Sequence, residues 1–383
     1  MYHWRFICSH KKTGLIEIGV DKLTRRFLTK SVIIIPVLVL LFATVCSLIG
    51  TQELSLVYVP VILPLMIALG YDSMVAVAIA LVATTAGFTT GFLNPINTGL
   101  GQKLSGLPVF SGLELRIVAF IVFVLIGVVY IIRYAQKVKK NPMDSLVYEE
   151  DSKKRSQYHL ASTSIGYKAT SRQKLASALL FVFFGLLVYG VLAQGWFMLE
   201  MAGLFIVMGI VVGSTSGLTL SEICEGFNEG FREVLVGAFI VGVARAVAVV
   251  MEDGLVMDTI VNSLSMIVGE FPAVFSAIGM FILQMLFNFL VPSGSGQALV
   301  TMPIMAPLSD LIGVTRQTAV LAYQFGDGIG NILYPTSGYF MATLALAGVS
   351  WQKWVRFYLP LFSIWFVVAI IFLIFAQLIQ WNG

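Results

Sequence analysis

Charge is scarce in this 383-residue sequence: Asp, Glu, Lys and Arg make up 11% of it, against roughly 25% in a typical soluble domain. With 58% hydrophobic residues and a mean hydropathy of +0.91, that shortage excludes an ordinary water-soluble fold. Cysteine and histidine are scarce too, at three residues each. Cys8, Cys46 and Cys224 have no metal-ligand spacing, and His3, His10 and His159 lie outside the apolar runs. Neither a disulfide framework nor a metal site is expected, and no cofactor is implied. No phosphate loop of the Gly-x4-Gly-Lys-Ser/Thr type occurs, so a nucleotide-driven pump is excluded and coupling must come from an ion or exchange gradient. Met1–Lys30 is too charged to hold the apolar core of a signal peptide.

What is abundant is apolar sequence interrupted by glycine and proline. Runs able to span a membrane, or to enter it and return, cover Val32–Ile49, Leu56–Leu69, Met74–Leu93, Ile117–Ile132, Leu175–Leu192, Leu199–Val212, Val234–Val250, Phe271–Val291, Ala298–Ile312, Ala319–Leu333, Phe340–Ala347 and Val355–Leu378. The chain also repeats itself. Arg5 and Arg245, Gly14 and Gly254, Asn94-Pro95 and Tyr334-Pro335, and Arg116 and Arg356 each differ by 240 (335 − 95 = 240), while Pro60, Pro64 and Gly70 match Pro303, Pro307 and Gly313 at 243. Five crossings between Gly14 and Gly254 make the repeat an inverted one, a pattern of secondary transporters.

Loop charge gives the orientation. Arg133–Lys174 and Lys11–Lys30 are rich in Lys and Arg and belong in the cytoplasm, whereas Glu252–Glu270 carries Glu252, Asp253, Asp258 and Glu270 with no basic residue and belongs outside. The expected location is the cytoplasmic (inner) membrane. The Arg133–Lys174 stretch reads as a mobile cytoplasmic loop between the copies.

Two polar turns lie between paired apolar runs, Gly50-Thr51-Gln52-Glu53-Leu54-Ser55 and Pro292-Ser293-Gly294-Ser295-Gly296-Gln297. They are expected to be the tips of two re-entrant hairpins. Two helices are expected to be broken, at Asn94–Gly99 and Tyr334–Gly338, where proline frees backbone groups that can hold a cation or a carboxylate. Lipid cannot satisfy such backbone, so all four places should converge on one pocket. Ionisable residues within apolar segments are few and are functional candidates by default: Asp327 beside the second break, Glu53 in the first tip, and Arg245, read as a structural or interfacial residue. An intramembrane hydrolase fails on context. Asp72 reads as a helix N-cap at the membrane surface, and Ser295 has no histidine in any apolar segment to serve as base.

The motifs Asn94-Pro95 with Thr98-Gly99, Ser111-Gly112-Leu113 with Arg116, Pro292–Gln297, Gly326-Asp327-Gly328 with Asn331, Pro335–Gly338, and Trp354 before Pro360 carry a resemblance. Over about residues 13–375 the chain resembles the YfcC-type permeases, grouped with arginine/ornithine-type basic amino-acid antiporters and anaerobic four-carbon dicarboxylate carriers. The resemblance implies an all-α elevator fold of the ion transporter superfamily, with a scaffold that fixes a homodimer and a transport domain of hairpins and broken helices. It implies transport of a small amino acid or organic acid, with sodium or a proton as coupling ion, and partners limited to that small molecule and the lipid bilayer, not nucleic acid. Carried onto this chain, the substrate-binding candidates are Glu53, Ser55, Asn94, Asn97, Thr98, Ser293, Ser295, Gln297, Thr336 and Ser337, and the ion-coupling candidates are Asp327, Asn331, Gly99 and Gly338. The first tip departs from the family pattern of two adjacent acidic residues followed by Thr, since Glu53 precedes Leu54 and Ser55.

The organisation expected is a cytoplasmic arm over 1–30, a first hairpin and broken helix over 31–115, a scaffold helix over 116–135 and a linker over 136–173. Second scaffold helices with an external arm follow over 174–270, then a second hairpin and broken helix over 271–350 and a C-terminal scaffold helix over 351–383. Three apolar segments precede Gly254 but only thirteen residues precede Gly14. The chain is therefore expected to be an N-terminally truncated form that transports poorly alone.

Overall fold

The computed structural model describes residues 31–152, 154, 170–194, 198–228 and 271–383, with isolated positions between 231 and 263. The arm over 1–30, Arg245, nearly all of the Val234–Val250 run and most of the acidic stretch after it lie outside the described residues. Among those described, the regular structure is helical and no strand occurs.

One order of elements occurs twice. It begins with α1 (Ser31–Ile49), a polar turn, α2 (Ser55–Ala68), α3 (Ser73–Thr90), a break, the short α4 (Leu100–Leu104) and the long α5 (Leu113–Lys140). After α6 (Ser171–Gln194) and α7 (Met198–Ser216) it resumes with α8 (Ala273–Leu290), a polar turn, α9 (Gly294–Leu311), α10 (Arg316–Gly330), a break, α11 (Gly338–Ala347) and α12 (Trp351–Leu378). α2 and α9 each carry two prolines four residues apart, Pro60 and Pro64, and Pro303 and Pro307. α5 is one unbroken helix across the boundaries expected at 116 and 135.

α3 and α10 form the centre. Every residue of α3 is buried, as is every residue of α10 after Arg316. Small residues permit this. A Cβ on Gly87 of α3 would lie 2.1 Å from the Ala43 carbonyl oxygen of α1, so the two backbones touch. α10 meets its neighbours through the two glycines beside Asp327: a Cβ on Gly326 would lie 2.8 Å from the Phe281 carbonyl oxygen of α8, and one on Gly328 would lie 2.2 Å from Thr89 Oγ1 of α3.

The outer helices turn apolar side chains outward. Val118, Ile121 and Leu125 on α5, and Val367, Ile371 and Phe375 on α12, are half exposed or more. A continuous apolar face of this kind suits lipid rather than water. Among the described residues five helical segments are long and apolar enough to cross a membrane: Ser31–Ile49, Ser73–Leu104, Leu113–Lys140, Ala273–Leu290 and Trp351–Leu378. The chain is a multi-pass membrane protein. α2 and α11, with 14 and 10 residues, are too short to cross alone. α1, read from sequence as one arm of a re-entrant hairpin, has 19 residues and is long enough to span. Its contact with α2 includes Phe42 stacked on Tyr58 at 3.8 Å.

The described start of the loop after α5 departs from the mobile segment expected. Asp151 is fully buried at the start of α3, where it accepts from the Ser73 amide (2.6 Å) and the Ser73 hydroxyl (2.5 Å). Lys154 Nζ donates to Asp151 Oδ1 (2.8 Å), Ser73 Oγ (2.9 Å) and the Ala347 carbonyl at the end of α11 (2.6 Å). A carboxylate at a helix N-terminus and a cation at a helix C-terminus each meet favourable backbone dipoles. Those contacts tie down residues 141–152 and 154, which composition alone did not disclose. Asp72 caps α3 as expected, accepting from the Val75 amide (2.8 Å), and it also accepts from Tyr134 and Ser145 (2.7 Å each).

Candidate functional site

Asp327 lies in the last turn of α10 and is fully buried. Gly326 and Gly328 let that turn press between α8 and α3, leaving the carboxylate with neighbours and no solvent. Three amides serve it: Asn97 Nδ2 donates to Oδ2 (2.8 Å), and Asn288 Nδ2 (2.8 Å) and Asn331 Nδ2 (3.1 Å) donate to Oδ1. Among the described residues no ion pair involves Asp327. A buried carboxylate with neutral donors only is strongly disposed to take up a cation or a proton.

The first break supplies Asn97. Asn94 Oδ1 accepts from the Ile96 amide (3.0 Å) and the Asn97 amide (2.9 Å), capping a single wide turn, Pro95–Gly99, that leads into α4. Thr98 donates to the Gly91 carbonyl (2.7 Å) and accepts from Gln324, while the Gly99 amide donates to the Asn94 carbonyl (2.9 Å). Tyr323 donates to Asn97 Oδ1, and its hydroxyl lies 2.7 Å from the Gly294 carbonyl. The tyrosine orients the Asn97 amide so that its nitrogen faces Asp327.

Both polar turns reach this place. A Cβ on Gly294, at the start of α9, would lie 2.5 Å from Asn97 Oδ1 and 2.7 Å from Asp327 Oδ2. Gly50, with φ +81, would place a Cβ 2.1 Å from Asn94 Oδ1. Gln297 is fully buried, donating from Nε2 to the Gln284 carbonyl (2.8 Å) and side chain (2.7 Å) and accepting from Asn288 (3.2 Å). Ser55 pairs with Thr343 of α11 (3.1 Å). Glu53 is half-buried in the first turn with no ion pair among the described residues.

At the second break, aromatic side chains of α12 take up carbonyls freed where α10 ends. Trp351 Nε1 donates to Leu333 O (3.0 Å), Trp354 Nε1 to Ile332 O (2.7 Å) and Tyr358 to Ile329 O (3.0 Å). The hydroxyls of Thr336, Ser337 and Tyr339 are buried without a partner, although those of Ser337 and Tyr339 approach each other outside bonding geometry. Asn94 Nδ2, Thr89 Oγ1, Asn288 Oδ1 and Ser47 Oγ are likewise unpartnered.

Of the residues singled out from sequence, Asn94, Asn97, Thr98, Gly99, Gln297, Asp327 and Asn331 thus share one network. Thr336 and Ser337 contribute open hydroxyls, and Gly338 begins α11 beside them. Ser293 caps α9 through the Gly296 amide (3.4 Å) but is exposed, and Ser295 is half-buried in the first turn of α9. Sequence reading missed Gln284, Asn288, Tyr323, Gln324 and Thr89. Gln284 and Asn288 did carry a signal: two amides four residues apart in an apolar run share one helix face.

A family model described as DcuC, C4-dicarboxylate anaerobic carrier, matches residues 6–378. A protein of Escherichia coli (strain K12) named "Putative basic amino acid antiporter YfcC" is 35% identical over 97% of this chain and 75% of its own length. A Haemophilus influenzae protein is 30% identical over 95% of this chain and 71% of its length. Among solved structures, the YdaH transporter of Alcanivorax borkumensis aligns with TM-score 0.47 and 14% identity, over 100% of this chain and 85% of that one. MtrF of Neisseria gonorrhoeae aligns with TM-score 0.49 and 16% identity, over 97% of this chain and 79% of that one.

Proposed function

We propose a transport reaction for this chain, which belongs to the DcuC family of C4-dicarboxylate anaerobic carriers: ion-coupled symport or exchange of a small amino acid or organic acid across the cytoplasmic membrane. The observation that carries it is the amide-caged Asp327 among buried hydroxyls with unused hydrogen-bonding capacity. Such capacity is costly in an empty interior and is satisfied when a polar ligand or ion enters. Asp327 and Asn331, with backbone near Gly99 and Gly338, are assigned to a sodium ion or proton. Asn94, Asn97, Thr98, Gln297, Thr336 and Ser337 are assigned to the cargo, with Glu53, Ser55, Ser293 and Ser295 at the turns around it.

The element order that occurs twice supports an inverted repeat, in which α3 and α10 are counterparts. The long α5 and α12 then serve as scaffold for a homodimer, and the turns and breaks move as an elevator. A four-carbon dicarboxylate is the alternative cargo, following the family description. The name of the Escherichia coli relative points instead to a basic amino acid, and Glu53 with Asp327 would receive its cationic end.

The test is uptake and exchange of labelled arginine, ornithine, acetate, succinate and fumarate by the full chain in proteoliposomes, with sodium and proton gradients varied. Gradient-dependent accumulation of one of them is expected. Absence of accumulation and exchange for every one, in vesicles where the chain is folded, overturns the reading.

A further inference from the structure

Arg116, in the first turn of α5, is fully buried. Its Nη1 donates to Gln324 Oε1, but Nε and Nη2 have no partner, and no ion pair among the described residues includes it. Those two nitrogens form one edge of the guanidinium. That edge is the fork whose two parallel N–H bonds match a carboxylate. The ring of Trp381 lies 5.5 Å from the guanidinium carbon, and a ring face offsets only part of the cost of keeping an unpaired ion from water.

The cover over Arg116 is built into the chain. Trp381 follows α12 in a short tail, donates from its amide to the Ala376 carbonyl (2.9 Å) and accepts from Thr315 Oγ1 (2.7 Å). A Cβ on Gly112, at φ +69, would lie 2.3 Å from Trp381 Cζ2, so the indole occupies the place of a side chain. Inward, Gln324 joins Arg116 to Thr98 in the first break, and Gln324 precedes Asp327 by three residues on the same face of α10.

We propose that Arg116 is an anion-recognising residue, whose Nε–Nη2 edge takes a carboxylate as a bidentate pair when the Trp381 tail moves aside. That this carboxylate belongs to the cargo rests on the transport reading above; that Arg116 binds one does not. A substrate carboxylate entering here would exchange the indole face for two charge-assisted hydrogen bonds, one side chain away from the polar centre.

The full chain in detergent is titrated with sodium acetate and sodium succinate, against sodium chloride at equal ionic strength, with thermal midpoint and tryptophan fluorescence as readouts. Saturable carboxylate effects are expected in the unaltered protein, at least tenfold weaker in Arg116→Gln. An intermediate response is expected in Arg116→Lys, which keeps the charge without the fork. Trp381→Phe should remove the fluorescence response and leave the thermal one. No saturable effect in the unaltered protein, an equal effect from chloride, or unchanged affinity in Arg116→Lys overturns the assignment, even where Arg116→Gln fails to fold. Uptake into proteoliposomes identifies the source: a carboxylate bound at Arg116 and carried inward is cargo, and one bound but never carried overturns the cargo assignment alone.

Discussion

The two breaks hold corresponding places in the element order yet treat their polar atoms in opposite ways. At Asn94–Gly99 nearly every polar atom is engaged: Asn94 caps the turn, Asn97 reaches Asp327, and Thr98 bonds at both ends. At Tyr334–Gly338 the backbone is held by α12, but the hydroxyls of Thr336, Ser337 and Tyr339 are left over. A break bonded at so many points is a rigid wall, since moving it breaks several hydrogen bonds together. The other can meet a ligand without first losing anything.

Asp327 stands between the two, and its replacement breaks the comparison most severely. Asp327→Asn should lower gradient-driven uptake more than tenfold while exchange at equilibrium suffers less; unchanged uptake and ion dependence in vesicles would reduce the aspartate to a structural group. Next in size, Thr336→Val combined with Ser337→Ala should weaken apparent substrate affinity about tenfold, with net hydrogen bonds near ~1 kcal/mol each. The thermal midpoint of the empty protein should hold or rise, because the lost hydroxyls had no partners. A fall would show that the second break is bonded no less fully than the first.

Thr98→Val should give the reverse pattern. Its bonds to Gly91 and Gln324 are lost, for about 1–2 kcal/mol of stability, and thermal unfolding should come a few degrees earlier with a smaller change in affinity. The smallest effect belongs to an ion pair outside both breaks, Lys353 with Glu150, both about a third exposed. The lysine holds the Glu150 carboxyl below its ordinary value, first through their hydrogen bond. A depressed carboxylate contributes stability above its unfolded value, which is lost as pH falls through the folded one. Lys353→Ala should therefore cost no more than about 0.5 kcal/mol near neutral pH and nothing in acid, as thermal midpoints across pH would record.

Much of this was legible in the sequence for a physical reason: polar residues in apolar runs are costly, so each one marks a place. The breaks at Asn94-Pro95 and Tyr334-Pro335, the turn at Gly294 and the isolated Asp327 were all found that way. The elements containing them fall within a few residues of the apolar runs. Gln284 and Asn288 mark one face of an otherwise apolar helix, but only the crossing of α8 with α10 shows that the Asn288 amide meets Asp327 and the Gln284 side chain meets Gln297. The role of Gly326 and Gly328 was equally hidden, because the close approach of two backbones leaves no mark in one of them. Ser293 shows the converse: a polar residue in the right motif whose side chain caps α9 and lies exposed, outside the buried network.

Lys154 belongs to the first half of the chain by connectivity, yet it bonds to Ser73 in that half and to the Ala347 carbonyl in the other. The covalent join between the halves is thus duplicated by a fastening that lies before residue 155. If the chain were cut anywhere within 155–169, the first piece would keep Asp151 and Lys154, and with them its grip on the second. Two co-expressed fragments divided there should assemble in the bilayer, with Lys154 of the first piece donating to the Ala347 carbonyl of the second.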